Sequence, residues 1–239
     1  MINTLRGLLC AALSFIMPLL FLPLYLVFRF DGFYFAGAKF WARVMCAVGG
    51  VKVKKGGRQR ADTSRPCVYI CNHRSLFDIP VLLAGVDDNI RFMYKQELNR
   101  VPVFGWLLAL SPFIAVNRAD AKDAVASLEA AARQIRSGAS VMIFPEGTWS
   151  SDQELLPFKR GAALLAARTG LDIVPIGLAG TESVIPPDTY TFFSHPCSIV
   201  IGEAIQCPAL DSRLAEKQFA EDLRNRVNEL VARAEGALE

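Results

Sequence analysis

Two side chains able to move a proton, His73 and Asp78, stand five residues apart in the run Cys71-Asn72-His73-Arg74-Ser75-Leu76-Phe77-Asp78. If the chain turns between them, the carboxylate accepts a hydrogen bond from one imidazole nitrogen and leaves the other to take a proton from a hydroxyl. That is half of a serine-hydrolase triad, without a protein nucleophile. Each residue also has an ordinary reading. Ser75-x-x-Asp78 has the spacing of a helix capping box, and a lone histidine is commonly a satisfied structural group. Cys71 is the nearest candidate nucleophile, but two residues of separation on a strand put both side chains on one face without securing contact. No Gly-x-Ser-x-Gly elbow is present, which counts against a thioesterase or lipase built on a nucleophilic serine.

A second group lies downstream, where Phe144-Pro145-Glu146-Gly147-Thr148-Trp149-Ser150 follows an apolar run and Leu156-Pro157-Phe158-Lys159-Arg160-Gly161 leads into a helical one. Gly147 permits close backbone approach. Lys159, Arg160 and the helix start they precede offer positive potential to an anion. Arg118, closing Pro112-Phe113-Ile114-Ala115-Val116-Asn117-Arg118, is placed to converge on the same site. Read singly, each of these basic residues is a surface residue. Backbone amides near Gly147 are candidate donors to an oxyanion.

Taken in order, these segments resemble the glycerophospholipid acyltransferase family, which includes bacterial 1-acyl-glycerol-3-phosphate acyltransferases, over about residues 51–202. Asn72-His73 through Asp78 match the family's H-x4-D motif, which implies a general-base role for His73 and an orienting role for Asp78. Phe113, Ile114 and Arg118 look like its second motif, Glu146-Gly147-Thr148 like its third, and Val174-Pro175-Ile176 like its fourth. The resemblance implies acceptor or phosphate binding by Arg118, Glu146, Gly147, Thr148 and Lys159. It implies an α/β fold with a mixed sheet flanked by helices, behind an N-terminal apolar membrane-anchoring helical pair. The implied reaction moves a fatty acyl chain from acyl-CoA or acyl carrier protein to a hydroxyl of a lysophospholipid. The foremost acceptor is 1-acyl-glycerol-3-phosphate, giving phosphatidic acid; the thioester is a co-substrate, and neither cofactor nor metal is implied. Another lysolipid acceptor, amino-acid-headed or zwitterionic, is the alternative, followed by a thioesterase or lipase and by a non-catalytic lipid-binding protein. In one departure from the family pattern, Trp149 stands where the third motif commonly has arginine. An arginine holds phosphate through two hydrogen bonds, whereas an indole offers one donor and a flat apolar face.

The elements that must carry these residues are marked by composition. The 52% hydrophobic content and mean hydropathy of +0.30 exceed the usual for a soluble enzyme of this charge content, and the excess lies near the start. Gly7 to Phe28 is an uncharged run that covers about 33 Å as a helix, although Pro18 and Pro23 interrupt it. Phe33 to Val48 follows, aromatic-rich, with Lys39 and Arg43 on a partly polar face. The pair suits either a span or a hairpin dipping into one leaflet. This divides the chain into an anchoring segment, 1–48, and a catalytic domain, 49–239.

A basic cluster, Lys52, Lys54, Lys55, Arg58, Arg60 and Arg65, sits at the junction and favours anionic headgroups by about 1 kcal/mol per residue near the surface. A solvated basic turn is the plainer reading. The body is otherwise balanced and carries no recognised nucleic-acid motif, so nucleic acid is not expected as a partner. Six cysteines without a C-x-x-C pair or a metal-like grouping fit a reduced compartment, with the catalytic domain on the cytoplasmic face of a membrane.

Within the body, short apolar runs alternate with helical patterns. Strands are expected at Val51 to Val53, Cys67 to Cys71, Ile90 to Tyr94, Val141 to Phe144, Ile173 to Leu178 and Ile199 to Ile201. Helices are expected at Leu76 to Ala84, Asp120 to Ser137 and Gly161 to Arg168. In the second, Val125, Leu128, Ala132 and Ile135 recur at helical spacing between a capping Asp120 and a terminating Gly138. Leu214, Phe219, Leu223, Val227, Leu230 and Val231 mark an amphipathic C-terminal helix with a solvated charged face.

Overall fold

The computed structural model describes residues 2–28, 30–57, 65–117, 121–136, 138–148, 154–186, 189 and 191–239, the side chains of 121–126 excepted. The apolar start forms two helices, α1 (Ile2–Phe28) and α2 (Asp31–Gly49). Pro18 and Pro23 lie inside α1. Each removes one helical bond, but propagation adds a bond per residue, so the long apolar flanks carry the helix through both. Phe21 of α1 lies so close to Gly37 of α2 that a Cβ there would come within 2.9 Å of its ring. Asp31 then ties the hairpin to the body, accepting from Tyr25 Oη at 3.2 Å and pairing with Arg91.

The strand expected at Val51 to Val53 begins later. Gly50 adopts φ 70°, its N–H donates to Ala47 O, and Val51 N–H donates to Cys46 O at 2.7 Å. This is a Schellman closure of α2, which draws Val51 into the core and leaves the strand to start beyond it. Strand β1 (Val53–Gly57) runs along the sheet edge and carries Lys54 and Lys55 of the basic cluster. Lys54 Nζ donates to Ala237 O at 2.6 Å and Lys55 pairs with Asp87 at 3.5 Å. Lysines on an exposed edge discourage pairing with another chain, so these two have a structural use in the body. Arg58 and Arg60 lie outside the described residues.

The remaining elements are β2 (Val68–Cys71), α3 (Asp78–Gly85), β3 (Ile90–Lys95), a 3₁₀ turn (Gln96–Arg100), α4 (Phe104–Leu110), β4 (Ile114–Val116), α5 (Ala121–Arg136), β5 (Ser140–Ile143), α6 (Gly161–Thr169), β6 (Ile173–Ala179), α7 (Thr181–Val184), β7 (Cys197–Ile201) and α8 (Arg213–Gly236). Asp120, the expected cap of α5, lies outside the described residues, while Gly138 follows the helix at φ 96°. The seven strands form one sheet in the order β1-β7-β6-β2-β5-β3-β4. Neighbours are parallel except β6 and β7, which makes the sheet mixed. Strands β2, β6 and β7 are buried throughout, matching their predominantly apolar sequences, with Ser198 the polar exception in β7.

One face of the sheet packs Tyr69, Met142, Ile176 and Ile199 against α1, α2 and α3 through Cys10, Ala42, Met45, Val81 and Leu82. The other packs Val68, Ile70, Val141 and Ile173 against α5, α6 and α8. Helix α8 crosses β6 so closely that a Cβ on Gly177 would meet the Leu230 backbone at 2.2 Å. Leu214, expected on the apolar face of α8, is exposed, because the helix first meets the sheet at Phe219. Two of its charged residues are not simply solvated: Glu216 pairs with Arg160 and Glu235 with Arg74.

The chain leaves β2 for α3 on one face and β5 for α6 on the other. These neighbouring parallel strands therefore part at their carboxyl ends. Crevices of this kind are where open α/β sheets bind ligands.

Candidate active site

Asn72 is the first residue past β2 and fully buried. Its side-chain amide donates to Leu178 O at 2.8 Å and accepts from Leu178 N–H at 2.9 Å. It thus adds one more rung to the β2–β6 ladder, made by a side chain where the backbone has begun to turn away. That bond fixes where the next residue, His73, leaves the sheet.

His73 Nδ1 lies 2.7 Å from Asp78 Oδ2. The same oxygen accepts from the backbone N–H of Arg74 at 2.9 Å and of Ser75 at 3.1 Å. The other oxygen accepts from Thr181 Oγ1. Asp78 is 0% exposed, so a buried carboxylate is held by four donors, one of them the imidazole. An ionised carboxylate only accepts, which assigns the proton to Nδ1 and the lone pair to Nε2. The capping reading is also met in part. Asp78 reaches back to Ser75 N–H from the first turn of α3, while Ser75 Oγ accepts from Phe77 N–H at 3.2 Å. One carboxylate both shapes the loop and orients the ring.

The β5 side supplies the other wall. The His73 ring stacks on Phe144 at 4.1 Å between centroids, 15° from parallel. Pro145 and Glu146 form a turn closed by Gly147 N–H donating to Phe144 O at 3.1 Å, with Gly147 at φ 76°. That bond removes the Gly147 amide from the candidate oxyanion donors. Glu146 is buried, and its two oxygens accept from His73 N–H at 2.8 Å and Leu156 N–H at 2.9 Å. Burial raises its carboxyl above the ordinary value, and the two amides pull it back. Glu146, implied by the resemblance as an acceptor-binding residue, has each oxygen accepting one backbone N–H. Its geometry is that of a clamp joining three segments at the site.

Cys71 is fully buried, with its thiol 3.6 Å from Asn72 Oδ1. Burial, followed by the charges of Asp78 and Glu146, pushes the thiol well above its usual value. It is an inert core group rather than a nucleophile.

His73, Gly147 and Thr148 border a cavity of about 960 Å³. Its walls come from the inner faces of α1 and α2, from Phe77 and Leu83 of the α3 region, and from Phe113 and the α4 segment. Phe113 packs edge-on against Phe92 and Tyr34, at 5.7 and 5.8 Å, while Ile114 turns to the opposite face of the sheet. The lining is mostly apolar, with polar side chains that include His73 and Thr148, Ser14 of α1 and Lys95 of β3. Lys159 is held beside the Gly147 turn by its N–H, which donates to Pro145 O at 2.8 Å. Its ammonium lies beside Gly147, where a Cβ would come within 2.4 Å of Nζ. Its φ is what favours glycine here, since the lysine tip could shift away from a Cβ. Arg118 and Trp149 lie outside the described residues. The structure thus brings together His73, Asp78, Glu146, Gly147, Thr148 and Lys159. Asn72 and Thr181 escaped the sequence reading as supporting groups, because their partners lie 106 and 103 residues away.

The family model described as Acyltransferase matches residues 52–179. A chloroplastic 1-acyl-sn-glycerol-3-phosphate acyltransferase of Brassica napus is 35% identical over 158 residues, covering 66% of this chain and 46% of the relative. The 1-acyl-sn-glycerol-3-phosphate acyltransferase of Pseudomonas aeruginosa is 31% identical over 159 residues, covering 66% and 61%. The chain spans about half the length of the plant relatives it matches. Among solved structures, the 1-acyl-sn-glycerophosphate (LPA) acyltransferase PlsC of Thermotoga maritima shares the fold, with a TM-score of 0.75 and 23% identity over 95% of this chain and 97% of that one. With the matched residues running from β1 to the end of β6 and including His73, Asp78, Glu146 and Lys159, the chain belongs to the acyltransferase family.

Proposed function

We propose that the protein acylates the free hydroxyl of 1-acyl-glycerol-3-phosphate from an acyl thioester, giving phosphatidic acid. The observation that carries this is the His73–Asp78 pair standing at the rim of an apolar cavity large enough for an acyl chain. The relatives named above support the acceptor. His73 Nε2 takes the proton as the hydroxyl oxygen attacks the thioester carbonyl. The tetrahedral adduct then collapses, the C–S bond breaks, and the thiolate leaves with the proton from His73. General-base assistance supplies ~10² to 10⁴-fold, and fixing both substrates at one site supplies more. The thioester, carried on coenzyme A or acyl carrier protein, is a co-substrate, and the step needs no cofactor. Residues 1–48 act as the anchor and 49–239 as the catalytic domain, which faces the cytoplasm.

Lys159, whose ammonium lies beside Gly147 at the cavity border, is proposed to meet the acceptor phosphate together with Arg118. Lys159→Ala raises the KM for lysophosphatidate about tenfold and leaves that for the thioester nearly unchanged. A second reading follows from Trp149, which stands at the family's usual arginine: the acceptor headgroup is then amino-acid-like or zwitterionic. Competition between lysophosphatidate and such lysolipids, using detergent-extracted parent and Trp149→Arg protein, separates the two. On the phosphate reading the parent prefers lysophosphatidate and Trp149→Arg is tolerated. A parent that ignores lysophosphatidate while acylating another lysolipid overturns the acceptor.

A further inference from the structure

Helix α4 is apolar on all sides, Phe-Gly-Trp-Leu-Leu-Ala-Leu, and its two faces meet different surroundings. Phe104, Leu107 and Leu108 recur at spacings of three and one and line the cavity. Trp106 and Leu110, one turn apart on the opposite side, are 61% and 48% exposed. Val101 in the preceding turn is 41% exposed, and Leu98 and Phe104 are both exposed and part of the cavity lining. The cavity rim and the outer surface are therefore one apolar strip. This strip is continuous with α1, against which α4 packs and whose Ile16, Leu19 and Leu20 are likewise exposed. Exposed Arg100 flanks it, as does exposed Lys95, which pairs with Glu97 at 3.7 Å. The strip is held in shape by backbone rather than by burial of its side chains. Val103, a β-branched residue, sits at φ 64°, and Gly105 lies so close to the preceding turn that a Cβ would meet Leu98 O at 2.3 Å.

We propose that α4 and the turn before it are a second membrane-inserting element, which with α1 seats the cavity rim in the acyl region of one leaflet so that lipid enters sideways. The inference rests on the anchoring and lipid-acceptor readings above. A tryptophan and leucine pair flanked by basic residues is the chemistry of an interfacial segment on anionic lipid.

The test uses tryptophan depth in vesicles of phosphatidylcholine and phosphatidylglycerol whose acyl chains are brominated near the headgroup. Trp41→Phe with Trp149→Phe leaves Trp106 as the reporter. Adding Trp106→Phe and Leu20→Trp moves the reporter to α1. Quenching of both reporters is expected. Quenching of the α1 reporter alone overturns the inference and spares the anchor, whereas quenching of neither overturns both. In a second arm, Trp106→Asp with Leu110→Asp lowers turnover of a long-chain acceptor in vesicles about tenfold, with a short-chain soluble acceptor unaffected. Equal loss on both acceptors overturns the inference.

Discussion

Glu146 shows how much of the site's shape rests on a buried carboxylate bonded to backbone. Its two oxygens hold the amides of His73 and Leu156, so replacement by glutamine leaves one amide facing an NH₂ group. An unsatisfied buried N–H costs about 1–3 kcal/mol, and here the strain falls on the base itself. Glu146→Gln is expected to lower kcat well over tenfold while the acceptor KM changes little. Its pH behaviour gives an independent check. Burial places the folded-state pKa of Glu146 above the ordinary value, so the folded state binds more protons than the unfolded one between the two values. Glu146 therefore makes the parent lose stability as pH rises through that window. Denaturation midpoints from pH 4 to pH 7 should show this slope reduced in Glu146→Gln. Cys71 gives the opposite outcome: a buried thiol held protonated is not a nucleophile, so Cys71→Ala keeps activity within a few-fold and loses about 1–2 kcal/mol of stability. Loss of turnover with an intact fold would restore the thiol as a participant.

At the scale of elements, the hairpin of α1 and α2 belongs to the same apolar cluster as α3 and the sheet, through Cys10, Ala42, Met45 and Cys46. It also forms much of the cavity wall. Removing residues 1–48 is therefore expected to give aggregated, inactive protein rather than a soluble catalyst, as read by sedimentation and acyl transfer. A monomeric, active body after truncation would contradict this. Helical spacing made α5 and α8 legible in the sequence, and the alternation of short apolar runs with helical patterns made α3, α6 and the central strands so. Helix α4 and strand β4 were not legible. In α4 apolar residues occupy every face because one side lines a cavity and the other is exposed, while β4 is only three residues long, too short to show a period. The prolines of α1 pointed to an interruption for the same kind of reason, a local cost outweighed by the long apolar segment around it.

For the whole molecule, function follows from where three parallel strands end. Strand β2 delivers His73, β5 delivers the Glu146 turn, and β6 leads to Thr181, so the imidazole, the carboxylate that holds its backbone and the donor to Asp78 converge from distant parts of the chain. The H-x4-D spacing and the Glu-Gly-Thr run were readable as a site because each is local. The bonds made by Asn72, Glu146 and Thr181 were not, since only the sheet order brings their partners together. The apolar cavity then leads from this point between the helical hairpin and the body, which relates a single basic nitrogen to a long-chain substrate. Direct transfer is tested by following thiol release and phosphatidate formation together in detergent, with and without lysophosphatidate, for the parent and for His73→Ala. The two products are expected in equal amounts and only when acceptor is present, and His73→Ala is expected to lower both by about 10³-fold or more with an unchanged thermal transition. A burst of thiol without acceptor, or near-parental turnover by His73→Ala, would contradict it.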